Sequence, residues 1–118
     1  MNDNVKVNLG CVVYTMTKAG VKAEWVYHKD GEIEHGNGIG LRLTEMNHKR
    51  RFEGDFKITY TDANGHQSPE LDLIISFKSG YYHLMWEHNE KTTDIGIGIE
   101  SDGKLLVSYT EAIKNNFG

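Results

Sequence analysis

Phe52-Glu53-Gly54-Asp55-Phe56-Lys57-Ile58-Thr59-Tyr60-Thr61 alternates between apolar and polar side chains along its whole length. Phe52, Phe56, Ile58 and Tyr60 share one side, with Gly54 among them, while Glu53, Asp55, Lys57, Thr59 and Thr61 share the other. A period of two belongs to a β-strand, whose successive side chains point to opposite faces. One dry face and one wet face describe an antiparallel sheet covered on a single side.

The same alternation extends in both directions, and helical periodicity is nearly absent. Turn signals cut the chain at Lys18-Ala19-Gly20, Lys29-Asp30-Gly31, Asp62-Ala63-Asn64-Gly65, Lys78-Ser79-Gly80 and Ser101-Asp102-Gly103, all of the kind that closes hairpins. Two longer polar links are expected near Glu45–Arg50 and His88–Thr92. Eight strands result, at 6–16, 21–28, 32–44, 52–61, 70–78, 81–87, 93–100 and 104–110. The links are too short for Greek-key crossovers. A meander of eight strands removes its edges by closing, so the expected fold is all-β: an eight-stranded antiparallel up-and-down barrel, filling 1–118 as a single domain. Residues 1–4 and 111–118 are expected as tails.

Parity then assigns an inward set. It contains Val21, Ala23, Trp25 and Tyr27; Ile39, Leu41 and Leu43; Phe52, Phe56, Ile58 and Tyr60; Leu71, Leu73, Ile75 and Phe77; Tyr82, Leu84 and Trp86; Ile95, Ile97 and Ile99; Leu105, Val107 and Tyr109. Cys11-Val12-Val13-Tyr14 is apolar on both faces, and Cys11 is expected to act there as a small hydrophobe. Ile74, Tyr81, Met85 and Leu106 are apolar at outward positions.

Composition narrows the function classes. The chain has 118 residues, enough for one core. Its net charge of −4 lacks the basic surplus of a nucleic-acid binder, and Lys49-Arg50-Arg51 reads as a solvated loop. A single cysteine, Cys11, rules out an internal disulfide. Met1-Asn2-Asp3-Asn4 has neither the basic nor the apolar region of a signal peptide, and no apolar run is long enough for a helical membrane span. The expected compartment is the cytoplasm, with a mature secreted form as the alternative, and no membrane partner is expected.

The two halves resemble each other. Trp25 and His28, then Gly38-Ile39-Gly40-Leu41, then Tyr60 are matched in order by Trp86 and His88, Gly96-Ile97-Gly98-Ile99 and Tyr109. This is the pattern of two pseudo-repeated four-stranded halves, with the paired aromatics around one interior.

Eight meandering strands with interior tryptophans resemble the calycin superfamily, meaning lipocalins, fatty-acid-binding proteins and avidins. Phe52-Glu53-Gly54-Asp55-Phe56 is similar to the Phe-x-Gly-x-aromatic pattern that opens fatty-acid-binding proteins, although it lies mid-chain here. The lipocalin Gly-x-Trp near the first strand is absent, as are the biotin-contacting polar residues of avidins. The resemblance covers the chain as architecture and five residues as motif. It implies a barrel and, by analogy, small-ligand binding.

The remaining motifs are structural. Gly36-Asn37-Gly38-Ile39-Gly40 is followed by strand, not by the helix that a phosphate loop needs, so its glycines ease coiling or accept a neighbouring ring. His28, His35, His48, His66, His83 and His88 show no zinc-ligand spacing, and neither a metal nor a cofactor is implied. Glu24, Glu34, Glu53, Asp55, Asp72 and Glu87 fall mostly on the wet face, away from any cleft a glycosidase would need. No nucleophile elbow or Cys–His pair stands out, so no catalytic residue is assigned.

What remains is the inward aromatic set. It can fill the core, but buried tyrosine and tryptophan tips need polar partners, and several converging tips are a pocket feature. The leading expectation is a non-enzymatic barrel that binds a small apolar or aromatic ligand through Trp25, Tyr27, Tyr60, Trp86 and Tyr109, with His28 and His88 at the strand ends. The alternatives are an interaction module or homodimer with a solid core, and an isomerase or cyclase using His28, His88 or a tyrosine. An interior volume of roughly 300 Å³ or more separates binding from the solid core.

Overall fold

The structure, a computed structural model, describes residues 8–112. Eight antiparallel strands run in chain order around a closed barrel: β1 (Asn8–Met16), β2 (Gly20–Lys29), β3 (Glu32–Arg42), β4 (Gly54–Asp62), β5 (Leu71–Lys78), β6 (Tyr81–His88), β7 (Lys91–Ser101) and β8 (Lys104–Glu111). Closure comes from β1 pairing with β8, with Gly10 opposite Tyr109 and Tyr14 opposite Leu105. The strand bounds lie within two residues of those expected from alternation, residues 6 and 7 of the first strand falling outside the described range. Glu111, expected in the tail, is the last residue of β8 and pairs with Asp94.

Four connections are two-residue turns with positive φ at both positions: Asp30-Gly31, Ser79-Gly80, Asn89-Glu90 and Asp102-Gly103. This is the turn geometry whose twist matches that of the flanking strands. The link at His88–Thr92, expected to be long, is therefore tight.

The core is built from Val12, Tyr14, Val21, Ala23, Phe56, Ile58, Leu73, Ile75, Leu84, Leu105 and Val107, all inward and buried. Two expected inward sets face the other way. Ile39, Leu41 and Leu43, and Ile95, Ile97 and Ile99, are exposed, with Ile39 77% and Ile97 62% accessible. In their place β3 turns Gly36, Gly38 and Gly40 inward, opposite Trp25, Ala23 and Val21. Likewise β7 turns Asp94, Gly96 and Gly98 inward, opposite Trp86, Leu84 and Tyr82. The physical reason is room. A Cβ at Gly38 would stand 2.7 Å from Cδ1 of Tyr60, and one at Gly96 would stand 3.2 Å from the Trp86 ring. The glycines thus accept neighbouring rings, as their sequence context suggested. Cys11 is exposed on the outer face, not packed as a small hydrophobe.

The two ends of the barrel differ. At one end the connection 43–53 folds across the opening and buries Phe52 completely. Phe52 meets the edge of Tyr82, which in turn meets Phe77. Arg42 lies 4.6 Å over the Phe56 ring and donates to the carbonyls of Glu53 and Arg51. Glu53 Oε2 accepts the Phe77 N–H, and Arg50 covers the Phe77 ring. The other end carries the β2–β3, β4–β5 and β6–β7 turns and stays open.

Candidate functional site

The open end leads into a cavity of about 610 Å³. Trp25 and Tyr27 reach it from β2, Tyr60 from β4, Trp86 from β6 and Tyr109 from β8. These five are the aromatic residues picked out by parity. His28 and His88 do not line it, although both sit on strands at this end. The histidine that does reach the mouth is His66, in the β4–β5 connection.

The rings form a continuous wall. Tyr27 and Tyr109 stack with centroids 5.6 Å apart and planes 11° from parallel, and Trp86 leans on Tyr109 at 5.6 Å. Their polar tips are satisfied in different ways. Trp25 Nε1 donates to the Asn37 carbonyl and Tyr27 O–H donates to Glu111 Oε1. Beneath them, Trp86 Nε1 donates to the Tyr60 hydroxyl at 2.6 Å, and the Tyr60 and Tyr14 hydroxyls lie 2.6 Å apart. Tyr14 is fully buried. The arrangement that leaves no orphan has Tyr14 donating to Tyr60, which turns the Tyr60 O–H toward the cavity. Burial raises the pKa of Tyr14, Tyr60 and Tyr109, and burial together with Glu111 pushes Tyr27 up to about 12. All four stay neutral hydroxyls at ordinary pH.

Four carboxylates join the aromatics: Glu34, Asp62, Asp94 and Glu111. Glu34 had been expected on the wet face with the other acids, but it pairs with inward Tyr27 and so lies on the cavity side. Asp94 and Glu111 face each other across β7 and β8. Burial pushes the Asp94 carboxyl above its usual range; a hydrogen bond from Thr93 opposes this and Glu111 adds to it. Asp94 owes its inward position to an irregularity. Trp86 pairs with Asp94 but Glu87 pairs with Thr92, so Thr93 is an extra residue in β7. A bulge of this kind re-aims every side chain beyond it. Asp94 was missed because the isoleucine pattern of β7 pointed to the opposite face.

The mouth does not assemble a relay. His66 Nδ1 lies 3.3 Å from Asp62 Oδ2, but the other Asp62 oxygen accepts the backbone N–H groups of Asn64 and His66, so the pair is part of the turn. Ser68 Oγ donates to the Pro69 carbonyl and accepts the Tyr60 N–H. Among the described residues no group of histidine, cysteine, aspartate and glutamate has the geometry to hold a metal ion, and no helix is long and apolar enough to cross a membrane.

Comparison with known protein families, curated proteins and solved structures gives no match.

Proposed function

We propose that this chain is a non-enzymatic, calycin-like binding protein that holds a small, partly apolar molecule in the open end of its barrel. The observation that carries the reading is the cavity itself: about 610 Å³ between Trp25, Tyr27, Tyr60, Trp86 and Tyr109, above a packed and sealed lower half. A volume of that size falls in the range of small-molecule sites, and so does an apolar wall with a few converging polar groups. The isomerase or cyclase alternative has less support, since His28 and His88 do not line the cavity and Ser68 is turned to the backbone.

Both tryptophans of the chain, Trp25 and Trp86, line the cavity, so their fluorescence reports on it directly. Titration with a panel of small aromatic and aliphatic compounds is expected to give saturable quenching or a spectral shift with at least one chemical class. A flat response across the panel, with the folded barrel confirmed by circular dichroism, sinks the reading.

A second reading, a homodimer, is favoured by the outer face. Ile97 and Ile99 on β7 lie beside Ser108 and Leu106 on β8, and Ile95 lies beside Met85 on β6. The resulting patch is mostly apolar, with His83 beside Ile97 and no lysine, arginine or carboxylate on the pairs named, so the surface that fits it is another mostly apolar face, which a second copy of this chain supplies by twofold symmetry.

A further inference from the structure

The four carboxylates at the mouth differ in what already satisfies them. Glu111 accepts the Tyr27 O–H and faces Lys29 at 3.7 Å. Asp62 is held by its own turn and by His66. Glu34 is exposed to solvent. Asp94 is half-buried in the cavity wall, where Thr93 gives it a hydrogen bond, and among the described residues no ion pair reaches it. Among the described residues, no lysine or arginine lines the cavity. Asp94 pairs with Trp86 on one side and Glu111 on the other, and lines the cavity together with Tyr27, Tyr60 and Tyr109.

We infer that the cavity takes an organic cation, a small amine in its ammonium form, with the charged end directed to Asp94 and the apolar body against Tyr27, Trp86 and Tyr109. This rests on the binding reading above and names its ligand class. A cation is attracted both to aromatic faces and to a carboxylate, and each attraction strengthens when water is excluded. An anionic guest such as a fatty acid meets the reverse: among the described residues four carboxylates line the cavity, and Lys29 already faces one of them, Glu111. The barrel's own register adds a separate argument. Trp25 pairs with Gly36 in the first half, and Trp86 pairs with Asp94 in the second. At corresponding places one half offers bare backbone and the other a charge, with the extra residue Thr93 turning that charge inward. A half-buried carboxylate with no cation of its own is costly for the empty barrel, and an ammonium guest removes that cost.

The test compares three probes with one ring and different ends: phenethylammonium, phenethyl alcohol and hydrocinnamate, titrated by calorimetry into the wild-type chain and into Asp94→Asn. The expected order is ammonium first, alcohol weaker by roughly tenfold, and carboxylate undetectable, since a charge-assisted contact is worth about that factor. Asp94→Asn is expected to lower ammonium affinity by roughly tenfold and leave the alcohol unchanged. Asp94→Ser serves as a second variant should the asparagine variant melt early. If the alcohol or the carboxylate binds as well as the amine, or if both Asp94 variants bind the amine normally, the cation assignment is overturned while the binding reading stands. If none of the three binds and the fluorescence panel is also silent, both fall together.

Discussion

Tyr60 does two jobs with one oxygen. Its ring occupies the space left by Gly38, and its hydroxyl receives the Trp86 N–H and meets the Tyr14 hydroxyl. Trp86 is 3% exposed and Tyr14 fully buried, so neither has water to turn to. Tyr60→Phe is therefore expected to cost about 2–6 kcal/mol, because it strands two buried polar groups at about 1–3 kcal/mol each. Tyr14→Phe strands none and should cost about 1 kcal/mol or less. Adding Tyr14→Phe to the Tyr60→Phe variant should recover part of the loss. Urea denaturation of the two single variants and the double variant checks all three values; equal costs for the single variants would show that the hydroxyl pair is not arranged as described. Tyr60, Trp86 and Tyr109 were legible in the sequence as inward aromatics. The contact between Tyr60 and Tyr14 was not, because β1 is apolar on both faces and gives parity nothing to choose between.

At the scale of elements, the strand pattern could be read from alternation and turns, yet two strands faced the wrong way. The information needed was present. A two-residue turn at Asp30-Gly31 sets Tyr27 against Glu34 and Trp25 against Gly36. One at Asp102-Gly103 sets Tyr109 against Gly96 and Glu111 against Asp94. Paired residues share a face, so inward tyrosines required inward glycines and acids, however apolar the isoleucines between them. Turn register outweighed hydrophobicity because a large ring and a branched side chain do not both fit at one height of a narrow barrel. The Thr93 bulge has no comparable sequence signal. Glu45–Arg50 read as a polar loop, and the role of the connection 43–53 as a plug depends on Phe52, which the sequence assigned to a strand. Phe52→Ala should cost about 3–5 kcal/mol, the usual range for emptying a buried aromatic site. Amide exchange is expected to accelerate along β4 and the start of β6, next to the plug. Unchanged exchange there would mean that the loop only covers the core and does not support it.

For the whole molecule, the outer surface behaves unlike the interior. Ile95, Ile97, Ile99, Tyr81 and Leu106 are 39–62% exposed on neighbouring strands, an unusual concentration for a chain that stays alone. Light scattering across a concentration series is expected to show a dimer, and Ile97→Lys should return it to a monomer without loss of melting temperature. A monomer at every concentration removes the homodimer reading and leaves the cavity untouched, since the isoleucines point out of the barrel and the aromatic wall points into it. That separation makes the two proposals independently testable.

The plug at Phe52 has one more consequence. With a floor at one end and a single doorway at the other, a guest bound as proposed would go in and come out by the same route and be held end-on. Whatever part is not swallowed must protrude past the turns at Asp30-Gly31 and Asn89-Glu90 into bulk water. A dye, bead or polymer tethered to that outer part would leave recognition intact, whereas the same tether on the inner end would block it, and such a pair of conjugates reveals which way round the guest is seated.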